Sequence, residues 1–301
     1  MGSGRHLLMV FVDGLGWGDG DPERNPLAAI GSRLFPCCGA DSAPVETAFG
    51  GWAFAADACL GIPGLPQSAT GQTALLTGVN AAARLGYHLS GFPNRELKGI
   101  LEQESVFVQL QKRGVRCTFA NAYQPSFFTR TPRRISVTTA ACQSANIPLK
   151  TLEDLQAGEA VYQDFTHRYL QKLGYPVGEL SPAQSGEHLA RISRCQEFTL
   201  YEHFLTDCAG HSGDRAWARL IAGELEMFLT AVLEKLDLRT ESMLLASDHG
   251  NLEDLSLATH TLNPVYLVAW GPVKEYVAVS NRSITDVVPA ILRYMEPPAE
   301  S

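Results

Sequence analysis

The stretch Leu7-Leu-Met-Val-Phe-Val12, followed directly by Asp13-Gly14, decides the fold of this 301-residue chain. Six consecutive apolar residues that end at an Asp-Gly turn are typical of a strand buried on both faces of a parallel sheet. An aspartate at that point projects beyond the carboxyl end of its strand, where open α/β sheets bind their ligands. The stretch therefore predicts both a buried sheet and a functional edge of that sheet.

Further apolar runs predict more strands, and helical spacing predicts helices between them. The predicted strands cover residues 119–122, 198–205, 243–246 and 265–270. Apolar residues recur at helical spacing over 217–232, a helix beginning at Val106 is expected to end at Gly114, and residues 285–295 predict a final helix. Strands that alternate with helices indicate an α/β fold, with a mostly parallel central sheet flanked by helices.

Residues 123–196 interrupt this alternation with five prolines and short helical stretches. The sequence therefore predicts a metal-binding α/β core domain of residues 1–122 and 197–301, with a small cap-like insertion of residues 123–196. The alternative is that the segment decorates the surface of the main domain.

Composition limits the classes of partner. The chain carries 24 basic and 32 acidic residues, and this acidic balance argues against nucleic acid or an anionic membrane as the main partner. Seven cysteines without a CxxC pair indicate reduced thiols and a cytoplasmic protein. The apolar run at residues 7–12 is too short for a signal-peptide core, and no stretch approaches the ~20 apolar residues of a membrane-spanning helix.

Carboxylates and imidazoles follow the predicted strands at metal-ligand spacing. The candidate ligands are Asp13, Asp207, His211, Asp248, His249 and His260. Oxygen and nitrogen donors of this kind suit zinc or manganese better than calcium, so the pattern predicts a site for two divalent metal ions, Mn²⁺ or Zn²⁺. Taken singly, each aspartate has the alternative role of a turn former or helix cap, and each histidine that of an ordinary loop residue.

The segment from Pro66 to Gly78 predicts a tight turn into a helix, with Ser68 at the start. A helix N-terminus offers free backbone N–H groups to a phosphate. A metal ion can lower the pKa of a serine hydroxyl, so Ser68 is a candidate nucleophile that needs no histidine base. Ser68 could instead be only an N-cap, and Thr70 could be the capping or reacting hydroxyl.

In this order along the chain, the motifs resemble those of the alkaline phosphatase superfamily. The matching segments are Val12-Asp13-Gly14-Leu15-Gly16, Ser68-Ala-Thr-Gly71, Asp207-Cys-Ala-Gly-His211, Ser247-Asp248-His249-Gly250-Asn251 and His260-Thr-Leu-Asn263. They are most similar to the phosphatase domain of cofactor-independent phosphoglycerate mutases, and the resemblance covers most of residues 6–90 and 198–295.

The resemblance implies a division of the ligands between two metal ions. One ion would be held by Asp207, His211 and His260. The other would be held by Asp13, Asp248, His249 and Ser68. The implied chemistry is in-line attack of Ser68 on phosphorus, which gives a phosphoserine that is discharged to water or to an acceptor.

Two departures from the mutases favour a hydrolase. The mutases carry a large inserted transferase domain, whereas residues 123–196 form a short segment, and Gln72 stands where the mutase motif has a histidine. We therefore expect a phosphomonoesterase that acts on a small phosphorylated metabolite. The alternatives are a mutase or other phosphotransferase, a phosphodiesterase or nucleotide pyrophosphatase, and a metal-binding protein without catalysis.

The residues that contact the substrate are harder to identify from the sequence than the metal ligands. Arg84, His88 and Asn121 flank the predicted site and are candidates for binding phosphate or a carboxylate. For each of them the alternative is an ordinary surface position.

Overall fold

Strand β1 (His6–Val12) is the predicted buried strand, and it pairs in parallel with a neighbour on each side. The computed structural model describes residues 5–37, 44–129, 134–277 and 282–296. Within them, the other strands are β2 (Val45–Thr47), β3 (Gly51–Ala56), β4 (Cys117–Phe119), β5 (Phe198–His203), β6 (Glu241–Ala246) and β7 (Val265–Trp270). They form one sheet in the order β2-β3-β7-β6-β1-β5-β4.

The direction of the strands confirms a mostly parallel sheet. β4, β5, β1 and β6 are mutually parallel, and β7 runs antiparallel to β6. β3 is antiparallel to β7 and therefore points the same way as β1, while β2 returns antiparallel to β3. Apolar alternation gave no sign of β2 and β3, because β2 is three residues long and Gly51–Ala56 is rich in alanine, a weak strand former.

Side chains of β1 alternate between two apolar cores, one on each face of the sheet. Leu7, Met9 and Phe11 enter the first core, and Leu8 and Val10 enter the second. Because both faces of the strand are covered, its sequence reads as a continuous apolar run.

Helices cover both faces of the sheet. They are α1 (Pro26–Ala29), α2 (Ser68–Thr77), α3 (Ala81–Leu85), α4 (Arg95–Glu104), α5 (Val106–Gln111), α6 (Pro125–Thr129), α7 (Val137–Ser144), α8 (Leu152–Gln156), α9 (Arg168–Lys172), α10 (Pro182–Ser193), α11 (Leu205–Ser212), α12 (Arg215–Lys235), α13 (Lys274–Val277) and α14 (Val287–Met295). The helical spacing over 217–232 is confirmed as α12, whose residues Ile221, Leu225 and Phe228 are buried.

Two predicted strand boundaries are wrong. The predicted strand 198–205 ends at His203, because Leu205 already begins α11 and its apolar side chain packs against the second core. The predicted strand 119–122 lies instead at Cys117–Phe119, and Asn121 makes an isolated bridge to Val161. In both places apolar residues beyond the end of the strand continue the apolar run, namely the half-buried Leu205 and the buried Ala120 and Ala122.

The predicted insertion, residues 123–196, is tied to the sheet at both ends. Helix α7 contributes Val137 and Ala141 to the first core, and α10 packs along α12 in the second. Between them, α8 and α9 share a small apolar cluster, which consists of Ala122, Leu152, Leu155, Ala160, Tyr162 and Leu170. The division of the chain into a core domain and a cap stays a prediction.

Candidate metal centre

Asp13 directly follows β1, as the sequence predicts, and Gly14 turns the chain away from the sheet. Gly14 has φ +69°, and a Cβ there would lie 2.9 Å from the Asp207 carboxylate. Only glycine combines this left-handed conformation with such a close approach. The Gly14 N–H donates to Asp248 Oδ1 at 3.3 Å, so the turn brings three aspartates together.

Asp207 and His211 lie in helix α11 and do not directly follow a strand. Their spacing of four residues places both side chains on one face of the helix, with Asp207 Oδ1 3.5 Å from His211 Nε2. The pairing that the sequence predicts is therefore present, but a helical turn supplies it. Asn251 holds the carboxylate, since its Nδ2 donates to Asp207 Oδ1 at 2.6 Å.

Asp248 and His249 follow β6, and His260 precedes β7. The Nδ1 of His260 lies 2.8 Å from the carbonyl oxygen of Pro66, so this ring nitrogen donates to the carbonyl. A second bond of this kind fixes the tautomer of a histidine and leaves Nε2 as the donor atom for a metal. That Nε2 lies 3.1 Å from His211 Nε2 and 3.6 Å from Asp207 Oδ1.

Two groups of donor atoms result, and in each the atoms lie within 4.8 Å of one another. The first consists of Asp207, His211 and His260. The second consists of Asp13, Asp207 and His249. Asp207 thus faces both groups, whereas the resemblance implies that it serves only the first.

Ser68 and Asp248 adjoin the second group around one imidazole nitrogen. His249 Nε2 lies 3.1 Å from Ser68 Oγ, 3.3 Å from Asp13 Oδ1 and 3.4 Å from Asp248 Oδ2. Both of these carboxylate oxygens are buried and make no hydrogen bond within the described part of the chain. Buried acceptors without a donor are costly, and a cation satisfies them, so the donor set fits a divalent metal ion.

The electrostatics of the cluster agree with a site for cations. Burial raises the pKa of Asp13 well above its usual range, and the nearby Asp248 and Asp207 raise it further. Burial also raises the pKa of Asp248, with Asp207 as the second cause. Burial lowers the pKa of His249 to about 3, which keeps its imidazole neutral and able to bind a metal.

The start of α2 fits the predicted phosphate contact. Helix α2 begins at Ser68, and the preceding Gln67 makes no side-chain cap hydrogen bond to the first turn. Thr70 supports the turn, because its Oγ1 donates to the Gln67 carbonyl and accepts from the Leu89 N–H. Gln72 Nε2 donates to Asp13 Oδ2 at 3.1 Å, so the residue that replaces the mutase histidine orients a candidate ligand.

Sequence reasoning missed Glu253, a buried carboxylate that ties the ligand-bearing loops together. It accepts hydrogen bonds from Gly16 N at 3.2 Å and from Asn251 N at 2.8 Å. The Asn263 amide and the Thr261 hydroxyl donate to its other oxygen. These loops carry Asp13, Asp248, His249 and His260. In the sequence, Glu253 stands two residues after Asn251, and no hydrophobic periodicity distinguishes it from an ordinary surface glutamate.

The three predicted substrate-binding residues lie in different surroundings. Arg84 borders a separate cleft with Glu96 and Glu104, and His88 Nε2 lies 3.2 Å from the Ile62 carbonyl. Asn121 does face the space beside the cluster, but both polar ends of its side chain bond the backbone of Glu202. The structure therefore brings Asn121 to the site as a support and does not bring Arg84 there.

A cavity of about 740 Å³ opens beside the cluster. Asp13, Ser68 and Asp207 form its floor, and aromatic residues from the segment between α3 and α4 and from the predicted insertion contribute to its walls. Glu202 also borders it; burial raises the pKa of this carboxyl to about 7, while a hydrogen bond from the Thr138 hydroxyl at 2.7 Å opposes the shift.

Comparison with known proteins agrees with this geometry. Residues 193–298, which carry Asp207 to His260, match the metalloenzyme superfamily. A 2,3-bisphosphoglycerate-independent phosphoglycerate mutase of Desulforudis audaxviator (strain MP104C) is 29% identical over 128 residues, which cover 39% of this chain and 25% of the mutase. Together these matches support a place for the chain in the alkaline phosphatase superfamily. As the matched region spans only a quarter of that mutase, the mutase's own reaction is not carried over.

Solved structures share the fold of the chain over almost its whole length. The PH0037 protein from Pyrococcus horikoshii superposes with a TM-score of 0.58 at 14% identity, covering 99% of this chain and 98% of that one. The alkaline phosphatase from the Antarctic bacterium TAB5 gives 0.53 at 11% identity, covering 98% and 99%. At these identities the likeness shows the fold, and with the family match it indicates an enzyme of this superfamily.

Among the residues that the structure describes, no helix is both long enough and apolar enough to cross a lipid bilayer.

Proposed function

We propose that this protein is a two-metal phosphomonoester hydrolase in which Ser68 is the nucleophile. The observation that supports it most directly is the convergence of Ser68 Oγ, Asp13 Oδ1 and Asp248 Oδ2 within 3.4 Å of His249 Nε2. Asp13 Oδ1 and Asp248 Oδ2 accept no hydrogen bond within the described part of the chain. A hydroxyl beside two such oxygens suits metal-assisted phosphoryl transfer.

The proposed ligands divide as the resemblance implies. Asp207, His211 and His260 would hold one ion, and Asp13, Asp248, His249 and Ser68 would hold the other. Oxygen and imidazole donors favour Mn²⁺ or Zn²⁺. When bound, the two ions would lower the pKa of the Ser68 hydroxyl and offset the charge of the phosphate.

The protein's own groups then position the substrate. In the first turn of α2 the Thr70 N–H donates to the Leu89 carbonyl at 3.3 Å. The Gln67 side chain caps none of the other backbone N–H groups there, and these would bind an anion at the helix N-terminus. Ser68 Oγ forms a bond to phosphorus while the ester P–O bond breaks and the leaving oxygen takes up a proton. A water molecule then forms the next P–O bond as the bond to Ser68 Oγ breaks, which releases phosphate and restores the serine.

A mutase is the second candidate, favoured by the match to the Desulforudis audaxviator enzyme. A mutase must keep water away from its phosphoserine while the substrate turns round, which needs a closing domain. Here the ends of the predicted insertion, α7 and α10, pack into the two cores of the sheet, which opposes such a movement.

Oxygen-18 water separates the two candidates. Metal-loaded protein is incubated with a panel of phosphomonoesters, and the released phosphate is analysed by mass spectrometry. A hydrolase places one labelled oxygen in free phosphate, and a rapid quench traps phosphate on the peptide that contains Ser68. Conversion of one phosphate isomer into another without free phosphate would reject the hydrolase and favour the mutase.

A further inference from the structure

The cavity beside Ser68 has an aromatic wall. We define this wall by five residues that border the cavity: Phe92, Tyr123, Phe127, Tyr162 and Phe204. Phe92 lies between α3 and α4, Phe127 lies in α6, and Phe204 immediately precedes α11. Tyr162 lies between α8 and α9. Four separate parts of the chain therefore present rings to the same space, next to the proposed nucleophile.

The polar atoms of the aromatic wall are already engaged within the protein. The Tyr123 hydroxyl lies 2.8 Å from Thr139 Oγ1, and the Tyr162 hydroxyl accepts from Gln124 Nε2 at 2.6 Å. Both tyrosines therefore offer the cavity their rings. Tyr123 and Phe127 also pack against each other, with their ring centroids 4.6 Å apart, and this contact fixes the orientation of both rings.

Charged groups around the cavity are acidic. Among the described residues that border it, the charged ones are Asp13, Glu202 and Asp207, and there is no lysine or arginine. Arg134 lies near the mouth, where its guanidinium is 5.9 Å from the centre of the Phe92 ring. An anionic organic group in the cavity would lie near Glu202, and none of the described residues that border the cavity would supply a positive charge to offset the repulsion. Such a contact is unfavourable.

We propose that the aromatic wall is the binding site for the organic part of the substrate, and that this part is an uncharged, planar aromatic group. The inference rests on the proposed phosphomonoesterase function, which supplies the phosphate end of the substrate at Ser68. Flat rings in offset or edge contact with the wall gain both buried apolar area and aromatic contacts. Small anionic esters such as phosphoglycerate gain neither.

Turnover tests the preference with leaving groups of the same chemical type. The substrates are 3-phenylpropyl phosphate, propyl phosphate and 3-phosphoglycerate, each the ester of a primary alcohol. We expect kcat/KM for the phenylpropyl ester to exceed that of the other two by about tenfold or more. Equal values for the three esters, or a preference for 3-phosphoglycerate, would overturn the proposal while leaving the hydrolase intact.

A pair of variants on one helix locates the effect. Phe127→Ala removes a ring of the aromatic wall, whereas Phe128→Ala removes its exposed neighbour in α6, which does not border the cavity. Phe127→Ala should erase most of the phenylpropyl preference, because kcat/KM for the phenylpropyl ester should fall much further than kcat/KM for propyl phosphate. The Phe128 ring packs against Phe127 and Tyr123 from outside the cavity, so Phe128→Ala should lower the preference less than Phe127→Ala does. An equal loss in both variants would contradict the assignment.

Binding measurements keep the inference separate from the proposed reaction. Metal-loaded Ser68→Ala protein is titrated calorimetrically with 3-phenylpropylphosphonate and with propylphosphonate, neither of which is cleaved. Tighter binding of the phenyl compound by about tenfold, lost in the Phe127→Ala background, supports the aromatic site even if no ester is turned over. Equal affinities would overturn it.

Discussion

Three candidate ligands of the metal centre, Asp13, Ser68 and Asp207, border the same cavity as the aromatic wall. The metal centre and the wall are nevertheless built from different parts of the fold. Asp13 directly follows β1, Asp248 lies just after β6, and His260 lies in the loop that leads into β7. The sheet therefore fixes their positions. The wall is built from short helices and loops, and Phe92 is 45% exposed. The comparison teaches that the proposed chemistry is anchored at the edge of the sheet, whereas the proposed selectivity depends on segments outside the sheet.

The first prediction removes the reacting atom from the anchored region. Ser68→Ala should lower turnover by about a thousandfold or more, because an alanine offers phosphorus no nucleophile. Metal should remain at Asp207, His211 and His260, as shown by elemental analysis. Thr70→Ala, which loses two hydrogen bonds of the supporting turn, serves as the control and should be far milder. Phosphate trapped on Thr70 would show that the nucleophile is wrongly assigned.

The second prediction removes one ligand. His211→Ala should reduce bound manganese or zinc from about two equivalents towards one and should abolish most activity, since two-metal sites need both ions. His88→Ala, whose imidazole lies beside the Ile62 carbonyl, is the matched control and should keep both. Metal content is measured by inductively coupled plasma mass spectrometry. Unchanged metal and activity in His211→Ala would remove this residue from the centre.

The third prediction concerns the support behind the ligands. Glu253→Gln replaces an oxygen acceptor by a donor and should weaken metal affinity by about 10- to 100-fold, as losses of outer hydrogen bonds do. Excess metal should restore activity in this variant.

Glu226 provides a control for that change, because it also accepts several hydrogen bonds, from the Ser32 hydroxyl and the Arg33 N–H, outside the centre. Glu226→Gln should leave the metal titration unchanged. If the two variants behave alike, Glu253 contributes only to general stability.

The fourth prediction concerns Glu202, which borders the cavity between the two regions. Burial raises the folded-state pKa of Glu202 to about 7, above its ordinary value of 4.5, so the folded state holds the proton to higher pH than the unfolded state. In chelator-treated protein this lowers the free energy of unfolding as pH rises from about 4.5 to 7, by up to about 3 kcal/mol.

Glu202→Gln should remove that loss. The variant should therefore match the wild type near pH 4.5 and exceed it in denaturant stability at pH 8. A constant difference between the two proteins across this pH range would contradict the raised pKa. The Thr138 hydroxyl can donate equally to the glutamine oxygen, which makes the comparison close to isosteric.

The sequence could predict the parts of the site that follow buried strands. Asp13 and the Asp248-His249 pair were predictable because an apolar run followed by an acidic turn marks a sheet edge. Asp207 was placed at a strand end, whereas it lies in α11, since Phe204 and Leu205 continue the apolar run into the helix. The aromatic wall has no sequence signature, because its residues are separated by up to 112 positions along the chain, between Phe92 and Phe204.

Strand β1 alternates between the two cores and ends at Asp13, and this arrangement has a consequence for motion. Its backbone N–H groups are bonded between two parallel neighbours and shielded on both faces, so they should exchange with solvent only through global unfolding. Helix α6 contains no fully buried residue and can open locally. Substrate entry and product departure can thus proceed through fast fluctuations of the wall, while the carboxylate at the end of β1 stays in place on that timescale.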